Sequence, residues 1–122
     1  MKRKIKIAVG KLEWEAWLNE TKTAARVFEA LPITSTVSTW GDEIYFTIPV
    51  DTGPEDAKEL VSLGDIAYWP PGKAMCIFFG KTPISRGDEI RPASPVNIIG
   101  KVEGDLKLLK KVKEGEEITI RR

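Results

Sequence analysis

The chain opens on strict alternation of charged and apolar residues. Lys4-Ile5-Lys6-Ile7-Ala8-Val9 places an apolar side chain at every second position or better, the period of a half-buried strand. Leu12, Trp14, Ala16 and Leu18 repeat that period after Gly10-Lys11, so the first two runs predict a hairpin. The period then lengthens. Ala24, Val27, Phe28 and Leu31 fall at i, i+3, i+4 and i+7, the stripe of a helix lying on a core. Thr21 or Thr23 can cap its start. Pro32 stops it, because the residue before a proline is pushed out of the helical region.

Residues 33–39 and 44–48 are strand-like runs joined by Trp40-Gly41-Asp42-Glu43, which has turn chemistry. The stretch 51–56, with proline early and acids close behind, predicts one or two helical turns with Ala57, Leu60 and Val61 as their buried face. Residues 66–69 and 74–79 are strands around Pro70-Pro71-Gly72-Lys73. Along the second of them Met75, Ile77 and Phe79 share one face, while Cys76 and Phe78 share the other. Residues 82–95 carry Pro83, Gly87, Pro92 and Pro95 and read as a long irregular loop; 96–102 is a strand, 105–112 a short helix and 118–120 a last strand. About eight short strands with two or three short helices predict a mainly β fold. A closed antiparallel barrel accommodates that many strands by removing the sheet edges.

The 122 residues suit one domain with one hydrophobic core, expected to span residues 1–122. A net charge of +1, from 19 basic and 18 acidic residues, argues against broad capture of nucleic acid or of an anionic membrane surface. The basic C-terminal run (Lys107, Lys110, Lys111, Lys113, Arg121, Arg122) has no aromatic residue on which bases could stack, and acids interleave with it. No apolar run is long enough for a bilayer, and the basic N-terminus alternates where a signal peptide would be continuously apolar. A cytoplasmic protein is expected. The single cysteine, Cys76, excludes an intrachain disulfide and reads as a buried structural thiol inside an apolar strand.

Absences narrow the chemistry further. The chain has no histidine and no glutamine, and its asparagines are Asn19 and Asn97 alone. Few amides beside abundant Lys and Glu suggest a thermophilic source. Without histidine, Ser-His-Asp and Cys-His catalysis are excluded, and zinc would need carboxylates and one thiolate. No metal and no cofactor is expected.

Three stretches taken together resemble the cyclophilins. Glu15 to Leu31, through Asn19-Glu20-Thr21-Lys22-Thr23-Ala24 into Val27-Phe28, is similar to the run in which a cyclophilin strand enters the first helix. Gly64-Asp65-Ile66-Ala67-Tyr68-Trp69, a proline-glycine loop and Cys76-Ile77-Phe78-Phe79 resemble the glycine-led strand, loop and aromatic strand of that fold. Ile99-Gly100-Lys101-Val102-Glu103-Gly104 is similar to the run before the last cyclophilin helix. The short chain looks most like the small prokaryotic cyclophilin-like family, a group without established function. The resemblance implies a cyclophilin-type barrel with a groove bordered by the two aromatic strands.

Departures from the cyclophilin pattern bear on activity. Laying the arginine-bearing strand of catalytic cyclophilins on Ile44-Tyr45-Phe46-Thr47-Ile48-Pro49 puts Phe46 where the arginine would stand, and Ile77 takes the place of the glutamine before two phenylalanines. Lowering a cis–trans barrier of about 18–20 kcal/mol by withdrawing amide resonance needs a fixed donor, and phenylalanine donates nothing. Prolyl isomerase activity is therefore not expected.

By the same resemblance, some of Trp69, Phe78 and Phe79, with Tyr45, Phe46 and Met75, wall an apolar pocket or else fill the barrel. Arg86 on the loop can clamp a carboxylate or phosphate, or pair with Asp88 or Glu89. Trp40, Asp42 and Glu43 form an exposed turn cluster with the same two readings. The expected ligand-binding set is Glu43, Tyr45, Phe46, Trp69, Met75, Phe78 and Arg86. It implies a non-catalytic binding module for a small molecule or a peptide segment. The competing readings are a prolyl isomerase or other enzyme using Arg86 as a relocated donor, and an interaction protein or homo-oligomer that exposes part of its four tryptophans.

Overall fold

The computed structural model describes residues 2–122. β1 (Arg3–Val9) and β2 (Leu12–Leu18) form the expected hairpin, in register from Val9 opposite Leu12 to Arg3 opposite Leu18. α1 (Lys22–Glu29) follows, its start capped by Thr21 Oγ1, which accepts the Ala24 N–H at 3.1 Å. The remaining strands are β3 (Ile33–Thr36), β4 (Ser38–Thr39), β5 (Glu43–Thr47), β6 (Asp65–Trp69), β7 (Ala74–Phe78), β8 (Asn97–Val102) and β9 (Glu117–Arg121). They form one sheet in the order β3-β9-β1-β2-β8-β6-β7-β5-β4, antiparallel throughout. β3 and β4 are two halves of one run interrupted at Val37, so the sheet comes back on itself as a nearly closed barrel. Ser35 Oγ donates to the Thr47 carbonyl at 2.7 Å and ties β3 to β5 across the seam. The barrel is thus mainly β and cyclophilin-like. Among the described residues it has nine strands, one α-helix and two 3-10 turns, Pro70–Gly72 and Leu106–Lys111. No helix of the described residues is long and apolar enough to cross a membrane.

Alternation decides what goes inside. Ile5, Ile7, Trp14, Ala16, Leu18, Ile44, Ile66, Tyr68, Ile77, Ile118 and Ile120 fill the barrel, joined by Ala24 and Val27 of α1 and by Leu109. Phe46 and Met75 belong to this interior and are almost wholly buried in it. On β7 the two faces separate as the sequence predicts: Met75, Ile77 and Phe79 pack inward, while Cys76 and Phe78 face outward. Those two meet Val61, Ala67, Ile90 and Val96 in a second, smaller core on the outside of the sheet. β2 and β8 approach so closely that a Cβ at Gly100 would strike the Trp17 carbonyl, which explains the glycine in Ile99-Gly100-Lys101.

The helix expected after residue 51 does not form. Its backbone groups are spent elsewhere: the Glu55 N–H donates to Asn97 Oδ1 at 2.8 Å, Lys58 exchanges hydrogen bonds with Val96, and the Val61 N–H reaches the Ile90 carbonyl. The Glu55 carboxylate caps the other helix, accepting the Lys22 and Thr23 N–H groups at 3.1 and 2.8 Å and the Thr23 hydroxyl at 2.7 Å. Proline early and acids nearby are a helix-start signature. Here the acid serves α1 instead.

Candidate functional site

The outward positions of β5 are Glu43, Tyr45 and Thr47, since Ile44 and Phe46 point into the barrel. Tyr45 stands opposite Cys76 on β7, and Cys76 in turn opposite Ala67 on β6. Glu43, Tyr45 and Cys76, together with Trp69 at the end of β6, floor a hollow of about 260 Å³. Trp40 closes one side, and Pro92, Ala93 and Val96 come over from the long loop.

Local geometry fixes the rim. Trp40 and Glu43 exchange backbone hydrogen bonds at 2.9 and 3.2 Å around the Gly41-Asp42 turn. Gly41 sits at φ +61°, where a side chain is strained, and a Cβ there would come within 2.8 Å of the Lys81 carbonyl and of Pro83. The Asp42 N–H donates to the Lys81 carbonyl at 2.8 Å, and the Phe79 N–H to the Asp42 carbonyl at 2.9 Å. The loop is pinned at its base: Thr82 Oγ1 donates to the Arg91 carbonyl, and Ser85 Oγ accepts the Thr82 and Arg91 N–H groups at 3.0 and 3.1 Å. The Trp69 indole N–H donates to Ser94 Oγ at 2.6 Å, which holds the loop on the rim and leaves Trp69 offering its ring.

Glu43 is the polar centre of this wall. It is 5% exposed, and its Oε1 has no hydrogen-bond partner among the described residues. Burial pushes its carboxyl up to about 7, partly offset by the Cys76 thiol as a hydrogen-bond donor. Burial likewise pushes the Cys76 thiol up, with the Glu43 charge and hydrogen bond adding to it. None of the residues lining the hollow is basic. Among the described residues, no three metal-ligating side chains gather.

Of the seven residues the sequence singles out, Glu43, Tyr45 and Trp69 line the hollow. Phe46 and Met75 are barrel core, because their positions have inward parity. Phe78 is buried in the outer cluster and does not line the hollow. Arg86 lies on the loop, its N–H on Glu89 Oε2 at 3.3 Å, away from the hollow. Glu43 is not part of an exposed cluster: the turn ends one residue earlier, and as the first residue of β5 it faces the covered side of the sheet. The expected set leaves out two residues that line the hollow: Trp40, weighed only within the turn cluster, and Cys76, read as a structural thiol. A tryptophan beside a glycine turn and a thiol of outward parity were the available signals. Pro92 and Ala93 reach the hollow only through loop closure and left none.

The fold and this face define a small antiparallel barrel with an aromatic hollow on its outer surface. The chain belongs to the cyclophilin-like family, whose profile matches residues 3–121. It is similar to the solution structure of the hypothetical protein AF2241 from Archaeoglobus fulgidus, with 46% identity over 99% of this chain and 95% of that one and a TM-score of 0.83. A structure of McbB in complex with tryptophan has a TM-score of 0.71 at 15% identity, matching 97% of this chain and 44% of that one. That likeness is one of fold. No curated protein matches the sequence.

Proposed function

We propose that the protein is a binding module without prolyl isomerase activity, taking a small aromatic molecule in the hollow of Trp40, Tyr45 and Trp69. The observation that carries this reading is the unpartnered Glu43 Oε1, a buried acceptor in an otherwise apolar wall. Buried acceptors without a partner are uncommon, and a ligand donor satisfies one directly. A volume of about 260 Å³ suits a small molecule better than an extended peptide. The tryptophan held by McbB, which shares the fold, is consistent with an aromatic ligand. Neither an arginine nor a glutamine lines the hollow, and Phe46 faces the core, so the reading dispenses with isomerase chemistry.

The test is titration with a panel of soluble indoles and benzyl compounds, followed by tryptophan fluorescence and calorimetry, since Trp40 and Trp69 report on the site. Saturable quenching by some members supports the reading. No binding by any at millimolar concentration overturns it. An X-Pro peptide assay with a rate above background would restore the enzyme reading.

A self-association reading has one observation in its favour. Leu60 and Leu63 are 45% and 54% exposed and lie along one groove with Val61 and Ile90. Sedimentation at high concentration separates it, a monomer counting against it.

A further inference from the structure

We propose that the ligand is an organic ammonium ion that keeps at least one N–H, donated to Glu43 Oε1, with its charge against the rings of Trp40, Tyr45 and Trp69. This rests on the hollow being a small-molecule site, and it names the class of molecule.

Three features of the hollow converge on that class. First, the acceptor with no partner belongs to a carboxyl group, and no basic side chain lines the hollow to neutralise it. A dry carboxylate is costly to hold unless a cation pairs with it, and here only the ligand can bring one. Second, apart from the Cys76 thiol, which is turned to Glu43, the remaining polar-tipped walls are aromatic, and aromatic rings attract a cation placed against them. Trp69 has already given its N–H to Ser94, so its ring system is what it offers. Third, Pro92, Ala93 and Val96 complete an apolar rim that favours a cation carrying hydrocarbon over a hydrated metal ion. A quaternary ammonium would satisfy the rings but leave Oε1 without a donor, so the N–H is part of the assignment.

The charge state of Glu43 then couples binding to pH. The titratable and charged groups on the elements around it are Asp42, whose carboxylate lies against Gly80, Tyr45 on its own strand and Cys76 on β7. On the loop they are Lys81, Arg86, Asp88, Glu89 and Arg91, the last two paired with each other at 2.7 Å. With its carboxyl up near 7, Glu43 carries a proton in the free protein at mildly acidic pH. Taking up the ammonium ion expels that proton. Affinity therefore rises about tenfold per pH unit up to about pH 7 and levels off above it.

The experiment compares three probes on the full chain at pH 8 by calorimetry and tryptophan quenching: N,N-dimethylbenzylammonium, benzyltrimethylammonium and benzyl methyl ether. The first is expected to bind at least tenfold more tightly than the other two. At pH 6, two buffers of different ionisation enthalpy should reveal one proton released on binding. Glu43→Gln should bring the first probe down to the level of the ether. Equal binding of benzyltrimethylammonium overturns the N–H assignment. Equal binding of all three overturns the cation assignment and leaves an aromatic site standing, whereas no binding by any overturns both. The comparison of probes and the proton count use the unaltered protein, so they decide the matter even where the variant fails to fold.

Discussion

Glu43 and Cys76 lie diagonally across the β5–β7 ladder on its outer face, with the thiol beside the carboxyl and no basic group among the residues around the hollow. The pairing follows from register alone. Tyr45 is opposite Cys76 and Glu43 opposite Phe78, so side chains of the same parity on neighbouring strands become diagonal neighbours. Burial raises the proton affinity of both groups; the Glu43 charge raises that of the thiol further, whereas the thiol, as a hydrogen-bond donor, lowers that of the carboxyl, and the balance has measurable consequences.

The first concerns stability. The ordinary carboxyl value of 4.5 applies in the unfolded chain and about 7 in the folded one, so the folded protein holds the extra proton between those values. Stability therefore falls as pH rises from about 4.5 to 7 and is flat with respect to this group on either side. The amplitude is on the order of 3 kcal/mol. Urea denaturation of the protein and of Glu43→Gln should give similar stabilities at pH 4.5 and a more stable variant at pH 8. Parallel pH curves for the two would refute the assignment. Glu55 and Glu89, both held below the usual carboxyl value by their hydrogen bonds, contribute stability that is lost only as pH falls below 4.5.

The second concerns reactivity. Cys76 is buried and its thiol is pushed up, so little thiolate exists near neutral pH. Iodoacetamide at pH 8 should label it only as fast as the protein opens, and fully in urea. Rapid labelling of the native protein would mean the floor of the hollow is open to reagents.

The third tests the polar network that replaces the missing helix. Thr23 Oγ1 donates to Glu55 and accepts from Asn97 Nδ2 at 3.2 Å, in a site that is itself buried. Thr23→Val keeps the shape but removes both side-chain bonds, leaving Glu55 only its backbone donors and Asn97 Nδ2 only the Gly53 carbonyl, at a cost of about 1–3 kcal/mol. A thermal melt indistinguishable from that of the unaltered protein would show the network to be dispensable.

The fourth separates barrel from site. Phe46→Ala should cost about 3–5 kcal/mol, as for other core aromatics. Arg86→Ala should stay within about 0.5 kcal/mol and leave every probe titration unchanged. Weaker binding in the arginine variant would bring the loop into the site.

Much of the barrel was legible because it depends on parity. The hairpin of β1 and β2, the helix stripe of Ala24 and Val27, and the split faces of β7 all follow from counting residues. The same rule, applied to β5, would have sent Phe46 inward, since Ile44 and Ile48 share its parity and are buried. Matching it to a cyclophilin arginine by its distance from Pro49 overrode that signal. What could not be read was set by contacts between distant segments. Glu55 caps a helix more than thirty positions earlier in the chain, and Pro92 reaches the hollow because Thr82 and Ser85 clasp the loop base. Local patterns carry no trace of either.

The seam at Val37 limits the manner in which anything can dock. Because β3 and β4 belong to one run and Ser35 bonds across to Thr47, the barrel presents little of the open rail on which another chain could align as an extra strand. Recognition by strand addition, the commonest way a sheet captures an extended segment, has scant purchase on this molecule. On the proposed binding reading, selection falls to side chains on a lateral surface, where shape and charge discriminate and backbone pairing does not.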